Sequence, residues 1–149
     1  MKRFVFKLDA ALRYRERIED QRKREFAEVQ VAFNRQRSTI EQLKAERVQG
    51  LDDLGGMSKG SLDVPVLMAQ RRYLLGLERR TVKAVHVLEG MKGPLEEARV
   101  RLVNARKDVR VLERLRERQM ERHLQDANRE EQKVLDEIAQ NVVQRKAEE

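Results

Sequence analysis

The sequence has no cysteine, two prolines and almost no aromatic residues, and each scarcity excludes a class of protein. Without cysteine there is neither a disulfide scaffold nor thiolate chemistry, which suits the reducing cytoplasm. Aromatic residues make up 4% of the 149-residue chain, whereas charged residues make up 40%. Globular domains carry about 25% charged residues. The chain is therefore either disordered or built from elements that bury only a narrow apolar stripe.

Long apolar runs are also missing. The N-terminal run Phe4–Phe6 follows basic residues but is too short for the core of a signal peptide. No stretch approaches the ~18 uncharged apolar residues that a membrane-spanning helix requires. We therefore expect a cytoplasmic protein that reaches a membrane only peripherally, through its partners.

The net charge of +7 favours nucleic acid as a partner, but the arrangement of charges along the chain argues against it. Acidic and basic residues (26 and 33 in number) alternate, as in Arg15-Glu16-Arg17 and Arg116-Glu117-Arg118. Intermixed signs are typical of solvated helix faces, whereas phosphate binding needs clustered cations. We expect no nucleic-acid partner, and a nucleic-acid-binding helical protein remains an alternative.

Glycine and serine concentrate in one segment, Gly55–Ser61, which divides the chain into two heptad-patterned stretches. The segment predicts a turn over about 55–63, because glycine disfavours helix. A first helix is predicted over about 9–54. Its apolar stripe is predicted to shift to neighbouring positions near Tyr14 and Ile18, as a stutter in the heptad pattern would cause. Its alternating three- and four-residue steps select Leu8, Leu12, Arg15, Glu19, Arg22, Phe26, Val29, Phe33, Gln36, Ile40, Leu43, Arg47, Gly50 and Leu54.

The stretch after the turn carries the strongest signal, an apolar or small residue at nearly every 3.5-residue step. It predicts a second helix over about 64–145, with Asp63 or Ser61 as N-cap and Pro65 in the first turn. Gly90, Gly93 and Pro94 predict a possible kink at 90–94 within a continuous helix. The frame selects Leu67, Gln70, Leu74, Leu77, Thr81, Ala84, Leu88, Met91, Leu95, Ala98, Leu102, Ala105, Val109 and Leu112.

Together the two stretches predict an all-α fold, a long antiparallel two-helix coiled-coil hairpin with the second helix overhanging, as a single domain over 1–149. Folding back from the turn places Leu54 near Leu67, and Leu8 near Leu112. Residues from about 115 onward are predicted to have no partner within the chain. Their sparse apolar stripe would form a docking surface; it comprises Leu124, Ala127, Val134, Leu135, Ile138 and Val142.

The sequence predicts no catalytic, cofactor-binding or metal-binding residue. A two-helix hairpin has no cleft in which reactive groups converge. His86 and His123 stand apart without the neighbouring ligands of a zinc site. Acidic pairs such as Glu130-Glu131 are common on exposed helices. We predict that the protein is not an enzyme.

Several segments resemble one known family. Met1-Lys2-Arg3-Phe4-Val5-Phe6-Lys7-Leu8, followed by Leu12-x-x-Arg15-Glu16 and Gln21–Ala27, resembles the N-terminus of FliJ proteins. The runs Leu112–Arg118 and Glu130–Ala139 continue the likeness, which covers nearly the whole chain. FliJ proteins belong to the flagellar type III export apparatus. The resemblance implies a stalk that couples the export ATPase hexamer to the export gate membrane protein and interacts with export chaperones. The equivalent stalk of a virulence-type secretion system is an alternative.

The resemblance also implies two contact sites. The family contacts the cytoplasmic domain of the export gate through an aromatic residue and a leucine four positions later, which Tyr73 and Leu77 match. Leu77 also lies in the seam frame, so a core role is its alternative. The ATPase contact is implied at the end away from the turn, where arginine can bind carboxylates through two hydrogen bonds. The alternative is pairing with local acids; the candidates are Arg13, Arg17, Arg116 and Arg118.

Overall fold

Two long helices account for 92% of the structure, a computed structural model that describes residues 3–147, with side chains described to residue 144. Helix α1 runs over Asp9–Met57 and helix α2 over Val64–Ala147. The described residues contain no strand, and the two helices pack against each other. The predicted fold class, an all-α helical hairpin, is confirmed.

The connection between the helices is shorter than the glycine content suggests. Helix α1 continues through Gly55 and Gly56, and its last turn closes where the Ser58 N–H and Oγ both donate to the Leu54 carbonyl, at 3.2 and 2.9 Å. At the start of α2, the Val66 N–H points to a side-chain oxygen of Asp63 at 3.4 Å. Asp63 is therefore the N-cap, and Pro65 lies in the first turn, where its missing N–H costs nothing.

The helix α2 passes through Gly90, Gly93 and Pro94 without a break. Proline removes one backbone hydrogen bond and crowds the preceding turn, so an isolated helix would tend to end there. The apolar frame continues on both sides, with Met91 and Leu95 both partly buried. Packing of this face therefore holds the helix together across its weakest point.

The chain divides into two compact units. Unit 2 comprises Asp20–Val103, and unit 1 combines the chain up to Glu19 with Asn104 onward. In unit 2 the two helical segments run antiparallel: the Gln36 side-chain amide donates to the Ala84 carbonyl at 3.0 Å, and that of Gln70 to the Gly50 carbonyl at 3.1 Å. Both pairs agree with the register predicted from the heptad frame.

The predicted seam of α2 is the buried face of that helix. Every frame position from Leu67 to Leu112 is buried or partly buried, and Leu77 is fully enclosed. In α1 most frame positions are also covered, and the exceptions within that helix are Arg15 and Arg47. Ile18 is partly buried, as a slipped stripe requires, but Tyr14 is exposed, so its inclusion in the stripe was wrong.

Three polar frame positions of α1 are explained by ion pairs between the helices. Arg15 pairs with Asp108 at 3.2 Å and Glu19 with Arg106 at 3.4 Å, both within unit 1. In unit 2, Arg47 approaches Glu78 at 3.7 Å. Partly exposed pairs of this kind contribute little energy, about 0–1 kcal/mol each. A charged residue at a seam position is still compatible with helix pairing, because the other helix supplies the opposite charge.

Candidate interaction surfaces

An extended N-terminal segment, Arg3–Phe6, lies against α2 within unit 1. Phe6 is buried in a cluster with Leu12 and Val109, and Phe4, Leu112 and Leu115 pack against that cluster. Further along α2, the Phe4 ring lies 5.7 Å from the imidazole of His123, tilted by 47°. His123 is partly buried at this contact.

This contact corrects one sequence-based expectation. Residues from about 115 were predicted to lack a partner, yet the segment Arg3–Phe6 covers α2 at Leu115 and His123. Periodicity could not predict this contact, because the segment is not helical. The alternating Phe-x-Phe pattern of the segment was the feature of the sequence that could have indicated this contact.

Arginines surround the N-terminal segment. One shallow groove beside it is lined by Arg3, Asp9, Arg13 and Arg116 together with the segment itself. A second groove on its other side includes Arg122 and Asp126. The N-terminal segment thus lies between arginine side chains, which can bind carboxylates through charge-assisted hydrogen bonds.

The four arginines proposed for the ATPase contact are all exposed but do not form one cluster. Arg13 and Arg116 line the same groove, and Arg13 also pairs with Asp9 at 2.9 Å. Arg17 follows Arg13 by one helical turn on the same face of α1. Arg118 lies about 200° around α2 from Arg116 and points to a different side.

Tyr73 and Leu77, the pair proposed for the export gate, differ in exposure. Tyr73 is 44% exposed and its hydroxyl approaches a Glu46 carboxylate oxygen at 3.5 Å. Leu77 is 0% exposed, the most completely buried large side chain of the described residues. Only Tyr73 can be reached from solvent in this state, and Leu77 supports the helix beneath it.

The end of α2 exposes an apolar stripe within unit 1. Every side chain from Asn128 to Gln144 is exposed, including four of the six predicted docking residues, Val134, Leu135, Ile138 and Val142. Of the other two, Leu124 is exposed and Ala127 is partly covered. The uncovered part of α2 therefore begins near residue 128.

Charge chemistry outside these surfaces is local. An Arg99 hydrogen bond lowers the pKa of Glu96, and an Arg22 hydrogen bond lowers that of Glu25, in each case against a small opposing desolvation. No group of metal-binding side chains occurs among the described residues. No helix in the same part of the chain is long and apolar enough to cross a bilayer.

Comparison with known proteins adds one finding. No curated protein and no solved structure matches the chain. Residues 4–148, however, match the family described as the flagellar FliJ protein. That family is a non-enzymatic component associated with the flagellar export apparatus. The paired helices, the Phe-x-Phe segment and a match over nearly the whole length lead to one conclusion: the chain belongs to the FliJ family.

Proposed function

We propose that this protein is the stalk that couples the export ATPase hexamer to the export gate, and that it also interacts with export chaperones. The family match over residues 4–148 carries the proposal. The proposal includes a peripheral location at the cytoplasmic face of the inner membrane. The surfaces of the two units supply the candidate contacts.

The ATPase contact is proposed at the arginine-rimmed groove of unit 1. Arg13 and Arg116 line it together with the segment Phe4–Phe6, and Arg17 extends the basic face by one turn. A carboxylate-lined ring opening would complement this surface, because guanidinium groups bind carboxylates in a fixed, bidentate geometry. Arg118, on another side of α2, would contact a second subunit of a ring.

A binding titration with the purified ATPase hexamer tests this contact. The double variant Arg13→Ala, Arg116→Ala should weaken binding about tenfold, since two charge-assisted contacts are lost. The matched control is Arg35→Ala, Arg37→Ala, which removes the same charge from exposed positions of α1 in unit 2. Equal loss in both variants would indicate general electrostatic attraction, and no binding by the unaltered protein would end the proposal.

The gate contact is proposed at Tyr73, with Leu77 acting through packing. Tyr73→Ala should weaken binding to the cytoplasmic domain of the gate while thermal stability stays within about 0.5 kcal/mol of the unaltered protein. Leu77→Ala should weaken gate binding and also lower thermal stability, because the Leu77 side chain is fully enclosed. Unchanged gate binding by the stable Tyr73→Ala variant would remove this contact from the proposal.

A further inference from the structure

A face of α2 in unit 2 that plays no part in the proposed contacts is both apolar and basic. Val64, Met68, Leu75 and Val82 are 50–64% exposed, although each is an aliphatic or thioether side chain. At about 100° per residue, these four lie within an arc of about 40° on the helix. They form a continuous stripe, here called the outer stripe.

Basic side chains follow the outer stripe. Between Val64 and His86, α2 carries five basic residues and one acidic residue. Arg71 lies at one edge of the stripe, and Arg79, Arg72 and Lys83 lie along the other edge by helical position. The single acid, Glu78, lies beside Arg71 and is already paired with Arg47 of α1 at 3.7 Å. The face therefore presents more cations than carboxylates next to its apolar groups.

The side of α2 that carries the outer stripe is distinct from the seam and from Tyr73. Leu75 is more than half exposed, while Leu74 and Leu77 on either side of it in sequence are buried. Tyr73 lies about 160° around the helix from Leu75. A ligand on the outer stripe would thus leave both the helix pairing and the proposed gate contact undisturbed.

We propose that the outer stripe binds directly to the surface of an anionic phospholipid membrane. Helices that lie in the membrane interface combine an apolar stripe with Lys and Arg beside it, and they bind anionic lipids more tightly than neutral ones. The charge of the stripe complements a phosphate-rich surface. Leu75 and Arg71 also line a shallow groove with Leu51 and Arg47 of α1, so a further exposed apolar side chain and a further cation lie beside the stripe.

This inference does not depend on the ATPase or gate contacts, because the test contains neither protein. The full-length protein is sedimented with phosphatidylcholine vesicles that contain about one-third phosphatidylglycerol, and with pure phosphatidylcholine vesicles. Binding is expected only to the anionic vesicles, and raising the salt to about 0.5 M should weaken it. Absence of binding to the anionic vesicles at low salt would overturn the proposal.

Substitutions locate the contact. Leu75→Glu should reduce the partition coefficient about tenfold or more, because it replaces an inserting side chain with a charge that the surface repels. Arg71→Gln should reduce it about fivefold, the typical contribution of one cation near an anionic surface. Both positions are exposed, so circular dichroism melting should be unchanged.

Two control variants complete the experiment. Val31→Glu makes the same kind of change at a similarly exposed apolar position of α1, and Tyr73→Ala alters the proposed gate contact. Neither should change vesicle binding. Equal losses with Leu75→Glu and Val31→Glu would show that only net charge matters and would overturn the assignment. Binding of an acidic amphipathic peptide in place of vesicles would assign the stripe to a protein partner and overturn it too.

Discussion

Helix α2 contains two regions that both carry an apolar stripe but differ in how far that stripe is exposed. Along unit 2 its frame positions are covered by α1, and Leu77 is fully enclosed. Near its C-terminal end, in unit 1, Val134, Leu135 and Ile138 are more than half exposed. The first region has a dense stripe covered by α1, and the second has a sparser stripe whose side chains are exposed. Periodicity indicates a face that can be buried, and the available partner decides whether it is.

The test with the largest expected effect places the same charge in both regions of α2. Leu102→Glu should destabilise unit 2 by about 3–5 kcal/mol, because Leu102 is 6% exposed and a buried carboxylate there has no partner. Leu135→Glu should change stability by less than about 0.5 kcal/mol, since Leu135 is 65% exposed. Urea unfolding followed by circular dichroism measures both. Equal effects would mean that the seam frame does not describe the protein's core.

A second test concerns the N-terminal segment of unit 1. Phe6→Ala should destabilise that unit by about 2–4 kcal/mol, because the ring is buried between Leu12 and Val109. Val5→Ala is the matched control, since Val5 is exposed beside it. Hydrogen exchange of the amides around Leu112 reports the effect locally. Faster exchange in both variants, or in neither, would contradict the packing of this segment.

These two tests also separate what the sequence predicts from what it does not. The seam of α2 follows from a 3.5-residue period sustained over many turns, so each of its buried positions could be named in advance. The Phe4 contact with His123 could not, because a four-residue extended segment has no period and its partner is more than 100 positions away. The arginine-rimmed groove is lined by the same N-terminal segment. The resemblance implied Arg13 and Arg116 as separate candidates, but it did not predict that both would line one groove.

The Tyr73 and Leu77 pair shows another limit. Spacing of four residues puts two side chains near one face of a helix, but it does not place both on its surface. Leu77 coincides with the centre of the seam, and Tyr73 lies at its edge, where the hydroxyl can reach Glu46. A family motif transferred by spacing alone therefore joins an exposed residue to a fully buried one. Only the local packing distinguishes the two roles.

A third prediction compares two glycines inside helices. A Cβ at Gly50 would lie 2.7 Å from a Leu74 methyl carbon, whereas nothing lies within 4 Å of a Cβ at Gly90. Gly50→Val should cost about 1–3 kcal/mol by overpacking the seam. Gly90→Ala should stabilise the protein by about 0.5–1 kcal/mol, because alanine favours helix. Thermal melting measures both, and stabilisation by Gly50→Val would show that the helices approach less closely there.

The smallest expected effect concerns a surface pair. Arg99 donates two hydrogen bonds to Glu96, at 2.8 and 2.6 Å, and these lower the carboxyl pKa below its ordinary value of 4.5. A lowered pKa in the folded state means that the pair stabilises the helix above the unfolded pKa and ceases to do so as acid protonates Glu96. Arg99→Gln should therefore raise the pKa of Glu96 toward 4.5, measured by NMR titration. Arg101→Gln, which removes a neighbouring charge that faces Glu97 at 3.8 Å, is the control and should leave Glu96 unchanged. An identical Glu96 titration in the Arg99→Gln variant and the unaltered protein would show that the two hydrogen bonds are not formed in solution. The exposed face of α2 would then be stabilised there by the backbone hydrogen bonds of the helix alone.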